Sequence, residues 1–164
     1  WADADLLCVK PFKFDEDFVI SSEPDNNYCI NRINAGLLKF KQGSNEALEG
    51  INIQKQQKQD ILSGKVAWSS GPKTVTTIVN TFNLHDNILP WRGICSCAWN
   101  DYETIFKPDI KKNPAIIDKI SDIPEEMVCI HMWNEVLRRN GLNKNDTFHS
   151  ESIYELFKKK HNIN

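Results

Sequence analysis

Asp3 and Asp5 stand one residue apart at the edge of the apolar run Leu6-Leu7-Cys8-Val9. In an extended segment residues i and i+2 share a face, so both carboxylates are expected to point the same way. Two anions held side by side repel unless a positive charge sits between them. The simplest such charge is a divalent cation with oxygen ligands, Mg2+ or Mn2+ where phosphates complete the shell. An EF-hand loop is excluded, because Leu7 and Val9 occupy positions where it needs oxygen ligands. Far downstream, in Cys129-Ile-His-Met-Trp-Asn-Glu135, His131 offers an imidazole suited to manganese beside two carboxylates. Trp133 and Asn134 follow as an aromatic face and an amide, a pairing that suits sugars or phosphates. Each feature also has a plain explanation: a solvated strand end, a core histidine and a core tryptophan.

Two further stretches carry polar-ligand chemistry. Ser69-Ser70-Gly71-Pro72 precedes a helical pattern. Free N–H groups and the positive end of the helix dipole there attract anions, and Gly71 lets a ligand approach the backbone. Ordinary helix capping explains the same residues. In Asn31-Arg-Ile-Asn-Ala-Gly-Leu-Leu-Lys-Phe40, the step Asn34-Ala-Gly36 sets an amide beside bare backbone, or forms a turn.

The elements that must position these groups alternate short strands with amphipathic helices, which implies the α/β class. Strands are expected at Leu6–Val9, stopped by Pro11, at Phe18–Ser21, closed by Pro24, and at Ala35–Phe40, ended by Gly43. Ser44 is placed to cap a helix running to about Leu62, with Leu48, Ile51 and Ile61 inward. A second helix starts around Pro72 and carries Val75, Ile78, Val79 and Phe82 as a core stripe. Residues 83–127 show no period and hold Pro90, Pro108, Pro114 and Pro124; so long a segment reads as functional or poorly ordered. Val128–Trp133 reads as a strand. Ser152-Ile-Tyr-Glu155 is a capping box opening a last helix, with Ile153, Leu156 and Phe157 inward and Lys158–Lys160 at its C-terminal end. No repeat or linker divides residues 1–164, which read as a single domain.

The 164 residues are 40% hydrophobic and 26% charged, ordinary for a globular domain. A net charge of -2 argues against nucleic acid as a partner, since no excess positive charge is available for phosphates. No apolar stretch approaches the roughly 20 residues that span a bilayer. The five cysteines form no disulfide framework, and Cys95-Ser-Cys97 is too tightly spaced for a zinc knuckle. They read as reduced thiols, which favours a reducing compartment.

The order of these motifs adds what none supplies alone. Asp-x-Asp after an apolar start, then Phe-Val-Ile-Ser-Ser-Glu, Ile-Asn-Ala-Gly, Gly-Pro at a helix start and Ile-His-Met-Trp-Asn-Glu resembles the glycosyltransferase family described by its sugar-binding region containing the DXD motif. That family includes bacterial capsule and lipopolysaccharide transferases, fungal initiating α-mannosyltransferases and animal α-1,4-galactosyl- and N-acetylglucosaminyltransferases. The likeness runs from Trp1 to about Lys160, and the tail looks most like the bacterial capsule type. It implies a GT-A-like nucleotide-diphospho-sugar transferase fold, and a Mn2+- or Mg2+-dependent retaining transferase. Such an enzyme moves a sugar from a UDP- or GDP-linked donor to a glycan, polysaccharide or lipid-linked saccharide acceptor. By the same likeness the N-terminal nucleotide-binding strands would precede Trp1, so the chain is expected to be the C-terminal portion of the catalytic domain and to turn over little donor alone.

The resemblance assigns Asp3 and Asp5 as the catalytic and metal-binding carboxylates and His131 as a metal ligand. It sets Trp133 and Asn134 over the diphosphate or sugar, and Asn34, Ser70, Gly71 and Pro72 in the donor or acceptor pocket. Two departures touch the acceptor side: Trp68-Ser69-Ser70 stands where an aromatic-Gly or His step is usual, and Ile33 replaces a second asparagine. Bacterial cytoplasm is the compartment implied, with peripheral association at the inner membrane surface and a Golgi lumen as the alternative. The competing functional class is a non-catalytic carbohydrate-binding or degenerate transferase module, with Trp91, Trp99 and Trp133 as sugar platforms.

Overall fold

The computed structural model describes residues 1–65, 70–111 and 113–163, apart from the side chains of residues 59 and 61. The expectations on Trp68, on Ser69 and on the Ile61 side chain lie outside the described residues. The chain is a mixed α/β domain whose sheets are short and antiparallel. Strand β1 (Leu6–Cys8) pairs with β4 (Cys129–His131), setting Leu6 opposite His131 and Cys8 opposite Cys129. Strand β2 (Val19–Pro24) pairs with β3 (Asn31–Lys39), with a register shift between Ile20 and Ser22. Asp25 closes this hairpin by accepting the N–H groups of Cys29 at 2.7 Å and Ile30 at 3.0 Å. That turn lets the ladder run through Ser22–Pro24 and Asn31–Ile33, so β2 and β3 are longer than their apolar runs imply.

Helix α1 (Asn45–Gln56) starts where expected, with Ser44 Oγ accepting the Ala47 N–H at 3.2 Å. It stops at Gln57, and a separate short helix α2 spans Lys58–Leu62. Leu48 and Ile51 are not core residues; they are 51% and 50% exposed. The contact with α3 (Ser70–Phe82) falls instead at Gly50, where a Cβ would stand 3.0 Å from Ile78 Cδ1. Val75, Ile78 and Val79 of α3 are buried with Ile20 and Leu84 in a small core, as the 3.6-residue period predicts.

Residues 83–127 depart most from expectation. They contain short 3-10 turns at His85–Asn87, Trp91–Gly93, Trp99–Ile105 and Ile120–Asp122. Far from being loosely held, they bury Ile94, Cys95, Cys97, Ile105, Phe106, Ile116 and Ile117 in the main core, together with Met127, Ile130, Ile153 and Phe157. After β4 the chain turns directly into α4 (Asn134–Arg139), and α5 (Ile153–Lys160) closes the fold. Ser152 caps α5 through the Glu155 N–H at 3.2 Å, but Glu155 Oε1 accepts from Phe148 N, so only half of the capping box forms. Leu156 is only half-buried. All five cysteines are free thiols. No helix among the described residues is long and apolar enough to cross a membrane.

Candidate metal centre

Asp3 and Asp5 do not share the face of an extended strand. The Leu6 N–H donates to the Asp3 carbonyl at 3.2 Å, so the pair lies in a tight turn just before β1. Two straps hold that turn. On one side the Trp1 backbone nitrogen donates to the Leu38 carbonyl at 2.8 Å and the Asp3 N–H to the Gly36 carbonyl at 2.7 Å, extending the β2–β3 hairpin. On the other side Met132 N–H donates to the Asp5 carbonyl at 2.9 Å, continuing the β1–β4 ladder. One aspartate therefore belongs to each sheet, and the turn joins the sheets where their edges meet.

His131 enters from β4, its N–H anchored on the carbonyl of the fully buried Ile94 at 2.8 Å. Its Nε2 lies 3.4 Å from Asp5 Oδ1. One ligand atom each from Asp3, Asp5 and His131 lie within 4.8 Å of one another, the three being half-buried, half-buried and buried. Bonds of about 2.1–2.5 Å from an ion put adjacent ligand atoms about 3 Å apart and opposed ones under about 5 Å, so this spacing fits a shared dication. Two carboxylates with one imidazole match Mn2+ or Mg2+ better than a thiolate-loving metal. The far nitrogen of the ring, Nδ1, is buried with no hydrogen-bond partner among the described residues. The Trp133 ring, centred 4.1 Å away, positions the imidazole by packing.

The surroundings hold the carboxylates in place. Trp1 Nε1 donates to Asp3 Oδ1 at 2.9 Å, and the Asn134 N–H donates to Asp5 Oδ2 at 3.1 Å. Burial pushes the Asp5 carboxyl up, but the His131 imidazole and the Asn134 N–H outweigh it and hold it below the usual carboxylate value. Trp133 takes a left-handed backbone with φ of 53°, which costs a bulky residue about 1–2 kcal/mol. That kink turns β4 into α4 and aims the first helical N–H at Asp5.

These groups open onto a cavity of about 1490 Å³ that runs between β3, α1 and the start of α3. Ser70, Gly71, Pro72, Asn34 and Trp133 line it with the metal-centre residues. A Cβ on Gly71 would stand 3.4 Å from Ala35 Cβ, so the glycine packs against β3. Asn134 is not part of the lining and reaches the centre through its backbone alone. Asn34 lines the cavity, but its amide is engaged within the protein. Nδ2 donates to Glu23 Oε2 at 2.6 Å, and Oδ1 accepts from the Gly36 N–H and from Ser21 Oγ. Trp91 is 8% exposed and packed against Tyr28, so it offers no platform; Trp99 is 44% exposed and lines the cavity.

Glu23, assigned no role of its own from the sequence, also lines the cavity, as do Arg32 and Gly36 of the Asn31–Phe40 stretch. A carboxylate inside the apolar run Val19-Ile-Ser-Ser-Glu-Pro24 was the available signal for Glu23. Comparison with known proteins finds no matching family model, no matching curated protein and no matching solved structure.

Proposed function

We propose that the chain acts as a GT-A-like, metal-dependent retaining glycosyltransferase, a hexosyltransferase using a UDP- or GDP-sugar. The acceptor is a glycan, a polysaccharide or a lipid-linked saccharide. The observation that carries this reading is the meeting of Asp3, Asp5 and His131, drawn from opposite ends of the chain, at the mouth of one large cavity. Sequence order supports it, since the Asp-x-Asp, Gly-Pro and His-x-Trp-Asn motifs resemble the DXD glycosyltransferases and all contribute to this region.

When bound, Mn2+ or Mg2+ supplies Lewis-acid stabilisation of the nucleoside diphosphate leaving group. The chain's own contribution is preorganisation. Asp3 is fixed by the Trp1 indole and the Gly36 strap, and Asp5 by the Asn134 N–H, so neither carboxylate needs to reorient when substrate arrives. Ser70, Gly71 and Pro72 bring the α3 N-terminus to the cavity wall, where the positive end of the helix dipole favours a polar or anionic ligand. The capsule-like tail points to a bacterial cytoplasmic enzyme working at the inner face of the membrane.

Thermal denaturation with UDP or GDP, with and without Mn2+, tests the reading. Saturation at 100 times Kd is worth about 2.7 kcal/mol, or a rise of about 5–10 °C for a domain of this size. Nucleotide is expected to add this rise, over any from the metal alone, only when the metal is present. Stabilisation by free sugar alone, with none from either nucleotide plus metal, would identify a carbohydrate-binding module instead.

A further inference from the structure

We infer that Glu23, oriented by Asn34 and flanked by Arg32, recognises the hydroxyl groups of a hexose beside the metal centre. The identity of the ligand as a sugar rests on the glycosyltransferase reading; the polar subsite itself rests on the following geometry.

Glu23 is the one residue of β2 that is not buried, and it faces the cavity. Asn34, 6% exposed, donates Nδ2 to Glu23 Oε2 at 2.6 Å. The amide cannot be turned over, because its Oδ1 already faces the donors Gly36 N–H and Ser21 Oγ. Glu23 is therefore held with one oxygen tied, and Oε1 makes no hydrogen bond among the described residues. Arg32 is its register partner across the hairpin, so both side chains lie on the same face, and both line the cavity. They form no ion pair with each other, and Arg32 makes no hydrogen bond among the described residues. A carboxylate and a guanidinium thus stand side by side with free hydrogen-bonding capacity.

The location is set by Gly36. Asn34 Oδ1 and Asp3 Oδ2 lie 2.7 and 3.7 Å from the point where a Gly36 Cβ would stand, so the Glu23–Asn34 pair adjoins the metal-centre carboxylate. A phosphate placed there would be repelled by Glu23, and an apolar ligand would leave both charges unpaired on closing the site. Vicinal hydroxyls satisfy both charges: they donate to Oε1 and accept from the guanidinium.

Saturation-transfer NMR with free glucose, galactose, mannose and N-acetylglucosamine in the presence of Mg2+ tests the inference on the whole protein. Saturation of at least one hexose is expected for the wild type. Loss of the charged acceptor weakens that binding about ten-fold or more in Glu23→Gln, and Glu23→Ala abolishes it. Glu23→Gln keeps an acceptor for Asn34 Nδ2, so its fold is expected to be retained and the loss to be a ligand effect. Equal saturation in the wild type and both variants, or no hexose bound by the wild type, overturns the inference. Stabilisation by UDP or GDP with Mg2+ is measured in parallel. Its absence beside Glu23-dependent hexose binding would defeat the transferase reading and leave the hexose subsite standing.

Discussion

Replacing Gly36 with alanine strains the strap that carries Asp3. The added Cβ would meet Asn34 Oδ1 at 2.7 Å, whereas ordinary van der Waals contact begins at 3.4 Å. One of the two groups must yield by several tenths of an ångström. Asn34 is poorly placed to move, because its amide is tied to Glu23 at 2.6 Å and to Ser21 behind it. Overpacking of this kind costs about 1–3 kcal/mol. The lower chain entropy of unfolded alanine returns about 0.4–1 kcal/mol. The strain wins by about 1–2 kcal/mol, a fall in Tm of about 2–8 °C.

Part of that strain passes to Asp3 of the candidate metal centre, since the Asp3 N–H is bound to the Gly36 carbonyl at 2.7 Å. If half is relieved by displacing Asp3, Mn2+ binding weakens about two- to five-fold. Urea denaturation reads the first effect and calorimetric titration with Mn2+ the second. Gly71→Ala serves as control, because among the described residues its Cβ would meet only Ala35 Cβ at 3.4 Å, and it is expected to leave stability nearly unchanged. A Gly36→Ala protein as stable as the wild type with unaltered Mn2+ affinity would show that Asn34 is not fixed and that β3 does not position Asp3.

Phe106 is 1% exposed, with its ring 4.5 Å from Phe148 and 5.2 Å from Tyr154; Phe106→Ala should cost about 3–5 kcal/mol in urea denaturation. Asp25 is held below its ordinary value of 3.8 chiefly by the Ile30 N–H. Because the folded value is the lower one, its contribution is fully present above the unfolded value and is lost as pH falls through the folded value. Asp25→Asn should therefore lower the urea midpoint at neutral pH and flatten its fall as the solution is acidified. Cys8 and Cys129 face each other between two ladder bonds, Met132 N–H to Asp5 O and Val9 N–H to Val128 O, both 2.9 Å. Alternation makes theirs a non-hydrogen-bonded pair, with Cα atoms about 4.5 Å apart, within disulfide range. Oxidised glutathione should join them by exchange through the exposed Cys8, more rapidly as pH rises, because burial pushes the Cys129 thiol up to about 12. Peptide mapping without reduction checks for the cross-link.

Long periodic elements were legible from the sequence, and irregular ones were not. The α3 stripe of Val75, Ile78 and Val79 and the caps at Ser44 and Ser152 fell where periodicity and hydroxyl chemistry put them. Residues 83–127 hid much of the main core because 3-10 turns of three to seven residues are too short to display a period. Leu48 and Ile51 misled in the opposite sense. Their spacing is helical, but α1 meets α3 through Gly50, which leaves both larger side chains about half exposed, Ile51 of them lining the cavity. The aspartate pair drew attention by residue type and spacing. The physical cause of its convergence, a turn strapped to two sheets, depends on pairings with Gly36 and Met132 that lie far away in sequence. Asn34 was read as an amide facing a ligand, yet its work is to hold Gly36 and Glu23. Such a role appears only once the hairpin is folded.

Titration of the protein with Mn2+, followed by calorimetry and by the electron paramagnetic signal of the free ion, bears most directly on the joint use of Asp3, Asp5 and His131. One ion per chain is expected. Its affinity should fall in Asp3→Asn, Asp5→Asn and His131→Gln alike, by more than the roughly 10–100-fold that loss of an outer partner costs. Unchanged Mn2+ binding in Asp5→Asn, with the fold intact, would contradict a metal centre built on that turn.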